Sequence, residues 1–267
     1  MKGKLVAAVG MGGSYRQHAV AKASQCLEHL EGTSAEEAAS SFVNPLTALS
    51  MVRTMRAEGH TALVHTAAAS QLGQMLVRIC LADGIPLVNV VRRPEQVALL
   101  KALGAELVVD RSATSYESDL IHALEASGAT MAFDATGGGT LAFDIIKAME
   151  TVATRKGASM SGYGSTTFKK LYIYGGLNAA EPVILRPQAG MGGFSWSVAG
   201  FLWDPSQVTH EEKQRVAREI KTTFATSYSR RLSLEQMLDL PTMKAYQAQA
   251  SNSKSLVTPQ ATAGSRL

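Results

Sequence analysis

Cysteine is nearly absent from this chain: Cys26 and Cys80 are the two among 267 residues, too few for a disulfide framework. Cys80 falls on an apolar helical stripe and reads as a buried, inert thiol. No apolar run is long enough to span a membrane. The opening Met1-Lys2-Gly3-Lys4 before Leu5–Val9 imitates a signal peptide, but the run is short and broken by glycine, so it reads as a strand. A cytoplasmic location is the expectation. The histidines (18, 29, 60, 65, 122 and 210) and the two cysteines show neither C-x-x-C nor H-x-x-x-H spacing, which gives no support for a zinc site.

Other signatures are missing too. No tyrosine has a lysine four positions on, as the short-chain dehydrogenases require, and both Gly-x-Ser-x-Gly and a phosphate-binding P-loop are lacking. What is present is an ordinary enzyme composition, 46% hydrophobic and 18% charged, enough for a substantial core and more than one domain. The net charge is 26 − 22 = +4, spread in pairs such as Arg92-Arg93, Lys169-Lys170 and Arg230-Arg231. Scattered pairs favour a phosphorylated small molecule over nucleic acid.

The segment 61–93 is the most informative. Ala62-Leu63-Val64-His65-Thr66 is a short apolar strand running into the small-residue loop Ala67-Ala68-Ala69-Ser70-Gln71-Leu72-Gly73. Leu72, Met75, Leu76, Ile79 and Cys80 then recur at helical spacing, and Leu87–Val91 is a second strand. This is the layout of a dinucleotide-binding βαβ unit, in which a pyrophosphate rests on N–H groups at the helix start. Ala68, Ser70 and Gly73 stand where G-x-G-x-x-G would have its three glycines. Past the second strand, where an NAD site holds a carboxylate for the ribose 2′-hydroxyl, stand Arg92 and Arg93. Two guanidiniums suit a 2′-phosphate, so the cofactor reads as NADP(H); the plain alternative is a pair of solvated arginines.

Strand and helix go on alternating. A helix opens at Pro94 and closes at Gly104, Leu107–Asp110 is a third strand, and 118–126 is helical. Met131–Asp134 is a fourth strand with the flexible turn Ala135–Gly139 at its end, followed by a helix over 141–156. Leu171–Tyr174 and Trp196–Ala199 are a fifth and a sixth strand. The pattern predicts an α/β fold with a Rossmann-type, doubly wound parallel sheet, whose ligand lies at the strand carboxyl ends. The flanks hold short runs, the β-like Leu5–Val9 and Tyr15–Val20 on one side and short elements after about Ser227 ending in Lys254–Pro259 on the other, and are expected to fold together. Residues 260–267 read as a frayed tail.

These landmarks resemble the medium-chain dehydrogenase/reductase superfamily, in its zinc-independent quinone oxidoreductase and enoyl reductase branch. The resemblance is carried in order by Gly12-Gly13-Ser14-Tyr15, Glu36-Glu37-Ala38-Ala39, Val43-Asn44-Pro45-Leu46-Thr47-Ala48, the Ala67–Gly73 loop, Tyr172–Leu177 and Lys254–Val257. It implies remnants of a GroES-like β-barrel domain in 1–44 and 227–267 around an NADP(H)-binding domain in 45–226. It also implies that most of that barrel, on the order of a hundred residues, is lacking upstream of Met1.

By the same resemblance, Asn44 and the turn Ala69, Ser70, Gln71 and Leu72 contact the nicotinamide and pyrophosphate, and Thr47 lies near the nicotinamide. Arg92 and Arg93 hold the 2′-phosphate. Tyr174, Gly175, Gly176 and Leu177 line the nicotinamide side, Phe201, Leu202 and Trp203 close over the cofactor, and Lys254 returns to it. Each also has a plainer role open to it: Asn44 as a cap for a helix beginning at Pro45, Trp203 as core, Lys254 as a solvated charge. The implied reaction is hydride transfer from NADPH to a conjugated carbonyl, enoyl or quinone acceptor by a homodimer that needs no zinc. Tyr15, Tyr163 and Tyr174 are the phenols on hand, and nothing local marks one as the proton donor. His65 reads as packed or locally hydrogen-bonded. A non-catalytic NADP(H)-binding regulator, an RNA-binding relative and an inactive fragment remain open.

Overall fold

The computed structural model describes residues 1–9, 11–162, 164–183, 193–198, 207–247 and 254–260. The chain divides into two compact units, 1–47 with 204–267, and 48–203. The first begins with β1 (Val6–Ala8) paired antiparallel to β2 (Cys26–Glu28). The run Tyr15–Val20, expected as a β-like element, is irregular and exposed, and Arg16, Gln17 and His18 interrupt its apolar character. Helix α1 (Ala35–Ala38) opens with a capping box, Ser34 accepting from Glu37 N while the Glu37 carboxylate takes Ser34 N. Helix α2 (Val43–Ala57) carries the chain from this unit into the other.

The second unit is built on alternation. Strands β3 (Leu63–Thr66), β4 (Leu87–Val91) and β6 (Met131–Asp134) are buried, and β5 (Leu107–Asp110), at the sheet edge, is partly so. Between them run α3 (Gln71–Asp83), α4 (Pro94–Ala102) and α5 (Tyr116–Ser127). Left-handed Gly84 and Gly128 end α3 and α5. Of the turn Ala135–Gly139, expected as flexible, the last three residues are instead the short strand β7 (Gly137–Gly139). Helix α6 (Leu141–Arg155) follows, then the small antiparallel pair β8 (Met160–Ser161) and β9 (Gly164–Ser165). Strand β10 (Lys169–Ile173) leads to β11 (Asn178–Pro182), which pairs with β7, and to β12 (Phe194–Val198).

Six strands form one parallel sheet in the order β12-β10-β6-β3-β4-β5. The order reverses outward from β3 and β6, which makes their carboxyl ends the switch point of a doubly wound fold. Period-two alternation sorts the side chains. Val64, Val88, Val90, Ala132, Leu171 and Ile173 pack with α5 and α6 in one core cluster. Their neighbours His65, Asn89, Phe133 and Tyr172 therefore take the opposite face.

The first unit is completed by α7 (His210–Arg218), β13 (Arg230–Leu232), α8 (Leu240–Gln247) and β14 (Ser255–Val257), which pairs parallel to β13. Lys213 Nζ donates to Ser24 O at 2.8 Å, so α7 belongs with the N-terminal strands. Arg231 grips the Glu36 carboxylate with two nitrogens, and Tyr228 donates to Glu36 O. No helix among the described residues is long and apolar enough to cross a membrane.

Candidate functional site

The turn between β3 and α3 is shaped by two backbone demands. Ala67 sits at φ +50, left-handed for a residue with a Cβ. Gly73 has no room for one: a Cβ there would lie 2.2 Å from Ala68 O. The close helix–strand approach of a dinucleotide fold is therefore present, and Gly73 permits it. The spacing put the first small-residue position at Ala68, whereas the left-handed residue is its neighbour Ala67. Ser70 is the N-cap, its Oγ accepting from Gly73 N at 3.1 Å, and Gln74 Nε2 ties Ala69 O at 2.9 Å. Ala69, Ser70, Gln71 and Leu72 thus form the start of α3, where the helix dipole favours an anion.

Arg92 follows β4, and Arg93 is the N-cap residue of α4 with Pro94 behind it. Gln96 Oε1 accepts from Arg92 N at 3.1 Å and fixes the turn. Arg93 Nε lies 3.2 Å from Glu95 Oε1, an exposed pair that leaves the guanidinium in solvent reach. A third arginine stands at the end of the neighbouring strand. Arg111 stands one residue past β5, its N–H on Val91 O at 2.8 Å, so the ends of two neighbouring strands present Arg92, Arg93 and Arg111. The sequence reading passed over Arg111, although its place after Leu107–Asp110 repeats that of Arg92 after Leu87–Val91.

At the switch point, buried Asp134 organises the turn after β6. Its Oδ1 accepts from Thr66 Oγ1 at 2.5 Å and Thr136 N at 3.0 Å, and its Oδ2 from Gly137 N at 2.7 Å. The turn after β10 lies against it: Leu177 N reaches Ala135 O, and a Cβ on Gly175 would stand 2.5 Å from the same oxygen. Tyr174, Gly175, Gly176 and Leu177 therefore come to the same sheet end as Ala69–Leu72. Tyr174 extends across β6 to β3, where its hydroxyl is 2.7 Å from His65 Nε2 and the rings stack at 5.8 Å and 18°. Burial pushes the His65 pKa down to about 3 and drives the Tyr174 phenol upward, with the Asp134 charge adding to the latter. Both groups are neutral at physiological pH.

The remaining expected residues lie elsewhere. Asn44 and Thr47 stand one turn apart on α2, in the first unit; α2 starts at Val43, so Asn44 lies inside the first turn and does not cap a helix beginning at Pro45. Lys254 precedes β14 in that unit, and burial lowers its ammonium pKa. Phe201, Leu202, Trp203 and Tyr163 lie outside the described residues. Of the phenols, Tyr15 is well exposed, whereas Tyr174 is held by His65. Among the described residues no three His, Cys, Asp or Glu side chains gather as metal ligands.

No protein-family model matches the chain. Solved structures do. A Mesorhizobium loti protein assigned as an NADPH:quinone reductase superposes with a TM-score of 0.71 at 25% identity, covering 90% of this chain and 65% of that one. Quinone oxidoreductase from Escherichia coli, solved with NADPH, gives 0.64 at 16%, covering 91% and 70%. That of Pseudomonas syringae gives 0.65 at 16%, also covering 91% and 70%. The chain spans about two thirds of the length of each. By these likenesses it has the fold of the quinone oxidoreductases, the zinc-independent branch of the medium-chain dehydrogenase/reductase superfamily that its landmarks resemble.

Proposed function

We propose that this chain binds NADPH and serves its transfer of hydride to a conjugated carbonyl, enoyl or quinone acceptor. The observation that carries the reading is the trio Arg92, Arg93 and Arg111 at the ends of β4 and β5, where an NAD site would hold a carboxylate. The donor set fits the group: guanidiniums for the 2′-phosphate, the capped start of α3 for the pyrophosphate, and Tyr174–Leu177 for the nicotinamide. The cofactor, when bound, supplies the hydride. The chain's residues bind it, orient it and exclude water. In the first unit we assign Asn44, Thr47 and Lys254, and beyond the described residues Phe201, Leu202 and Trp203, to the same cofactor. A homodimer is part of the reading, and sedimentation of the purified chain measures it.

Titration with NADPH and NADH, followed by cofactor fluorescence, tests the proposal, with 1,2-naphthoquinone and an enone as acceptors. Tight NADPH, weak NADH and acceptor-dependent oxidation are expected. Binding without turnover returns a cofactor-binding regulator, and no binding of either nucleotide overturns the reading.

A further inference from the structure

Two buried polar atoms lack a hydrogen-bond partner among the described residues on adjacent strands of the sheet: His65 Nδ1 and Asn89 Oδ1. The two residues are register partners across β3 and β4, so they share a face. Asn89 spends its amide N–H groups on Leu87 O and Leu107 O, each at 3.2 Å, and presents its oxygen. On the other side of the imidazole, Nε2 meets the Tyr174 hydroxyl at 2.7 Å.

A neutral imidazole has one N–H, and these neighbours decide where it sits. With the proton on Nε2, His65 would donate to Tyr174 and leave a bare Nδ1 on the face that carries the bare amide oxygen, two acceptors and no donor. With the proton on Nδ1, donors and acceptors match: Nδ1–H serves Asn89 Oδ1 through one water, and Nε2 accepts from the phenol. Leaving two buried acceptors unpaired costs more than the alternative, which pairs both.

We infer that His65, as the Nδ1–H tautomer held by Asn89, is a positioning residue that anchors the Tyr174 phenol and through it the turn Tyr174-Gly175-Gly176. Backbone bonds tie the turn to Asp134 O and Ala135 O, and the ring of Tyr174 gives it a side-chain anchor two strands away. Its use in placing the nicotinamide rests on the proposed function; the anchoring itself does not. Burial keeps both partners uncharged, so the anchor holds across the physiological pH range.

The first arm needs no cofactor. Long-range nitrogen–proton NMR on the 15N-histidine-labelled chain, with His65 assigned by its loss in H65Q, reads the tautomer. A protonated Nδ1 that does not titrate between about pH 5 and 8 is expected; a protonated Nε2 overturns the inference. Hydrogen exchange at residues 174–177 should quicken in Y174F and H65L and be largely restored in H65Q, whose amide oxygen reaches the place of Nε2. Unchanged exchange in Y174F overturns the anchor even if H65L does not fold.

The second arm uses NADPH. Y174F and H65L should each weaken binding about five- to thirty-fold, and the double variant no further than either, since one hydrogen bond is lost in all three. Additive losses, or none, sink the placing role. If the parent chain binds no NADPH, the proposed function falls and the exchange data judge the anchor independently.

Discussion

Lys169 and Glu150 form an ion pair inside the second unit, with Nζ 2.5 Å from Oε2 and the lysine side chain fully buried. Ser165 Oγ at 3.1 Å and Thr167 O at 2.7 Å accept from the same ammonium, and Glu150 accepts from Ser165 N and Oγ, each at 2.6 Å. All three lysine donors are placed, which is the condition under which a buried charge is tolerated. The pair ties α6 to the start of β10 and so steadies the strand that delivers Tyr174. Removing one partner strands the other: Lys169→Met should cost about 3–5 kcal/mol in urea unfolding, and the double change Lys169→Met/Glu150→Leu much less.

The same pair predicts an acid limb. Burial works to raise the Glu150 pKa, but bonds from Lys169 and Ser165 outweigh it and hold the carboxyl below its ordinary 4.5. A depressed folded value means that this stabilisation is whole above about 4.5 and drains as the pH falls through the lower folded pKa. Melting temperature measured from pH 6 downward should therefore fall less steeply in the double variant than in the parent.

Ala67 carries backbone strain at φ +50. Glycine pays no Cβ penalty in that region, so Ala67→Gly should raise stability by about 0.5–1 kcal/mol despite glycine's entropy. Ala67→Val should lower it by more, since branching at Cβ worsens the same clash. Denaturant midpoints at unchanged slope would check both.

Gly73 leaves no space, with a Cβ only 2.2 Å from Ala68 O. Gly73→Ala must push α3 off the β3 turn, costing about 1–3 kcal/mol as overpacked sites do. Because the helix start is the proposed pyrophosphate seat, NADPH affinity should fall further than stability alone explains. Calorimetric titration well below the melting temperature separates the two.

The arginines predict a salt signature. Arg92→Asp should lose NADPH preference over NADH by about ten-fold or more, and Arg111→Ser should lose part of it. NADPH binding by the parent should weaken with ionic strength more steeply than NADH binding, because exposed charges are screened. Parallel salt dependence for the two nucleotides would count against a 2′-phosphate site at these residues.

Local pattern made much of this legible. The third strand, Leu107–Asp110, has the predicted bounds, and the helices over 118–126 and 141–156 fall within one or two residues of α5 and α6. Even at the sheet edge that strand is a short apolar run, Leu107-Val108-Val109, and the helices repeat at 3.6 residues. Tyr15–Val20 misled because a short run becomes a strand only where another strand supplies its hydrogen bonds, and this one has Arg16, Gln17 and His18 at its centre. Gly137–Gly139 misled in the opposite sense, since three glycines read as a turn until Asn178–Pro182 arrives to pair with them.

The sequence by itself determined the alternation of strand and helix, the small-residue turn and the arginines after the second strand, because each depends on neighbours in the chain. Only the tertiary structure decided that Arg111 follows a strand beside that of Arg92 and Arg93, and that Tyr174 reaches His65 from 109 residues away. Those relations come from the parallel order of the strands. A parallel order is fixed by which faces can be buried together, and single-residue spacing carries no record of that choice.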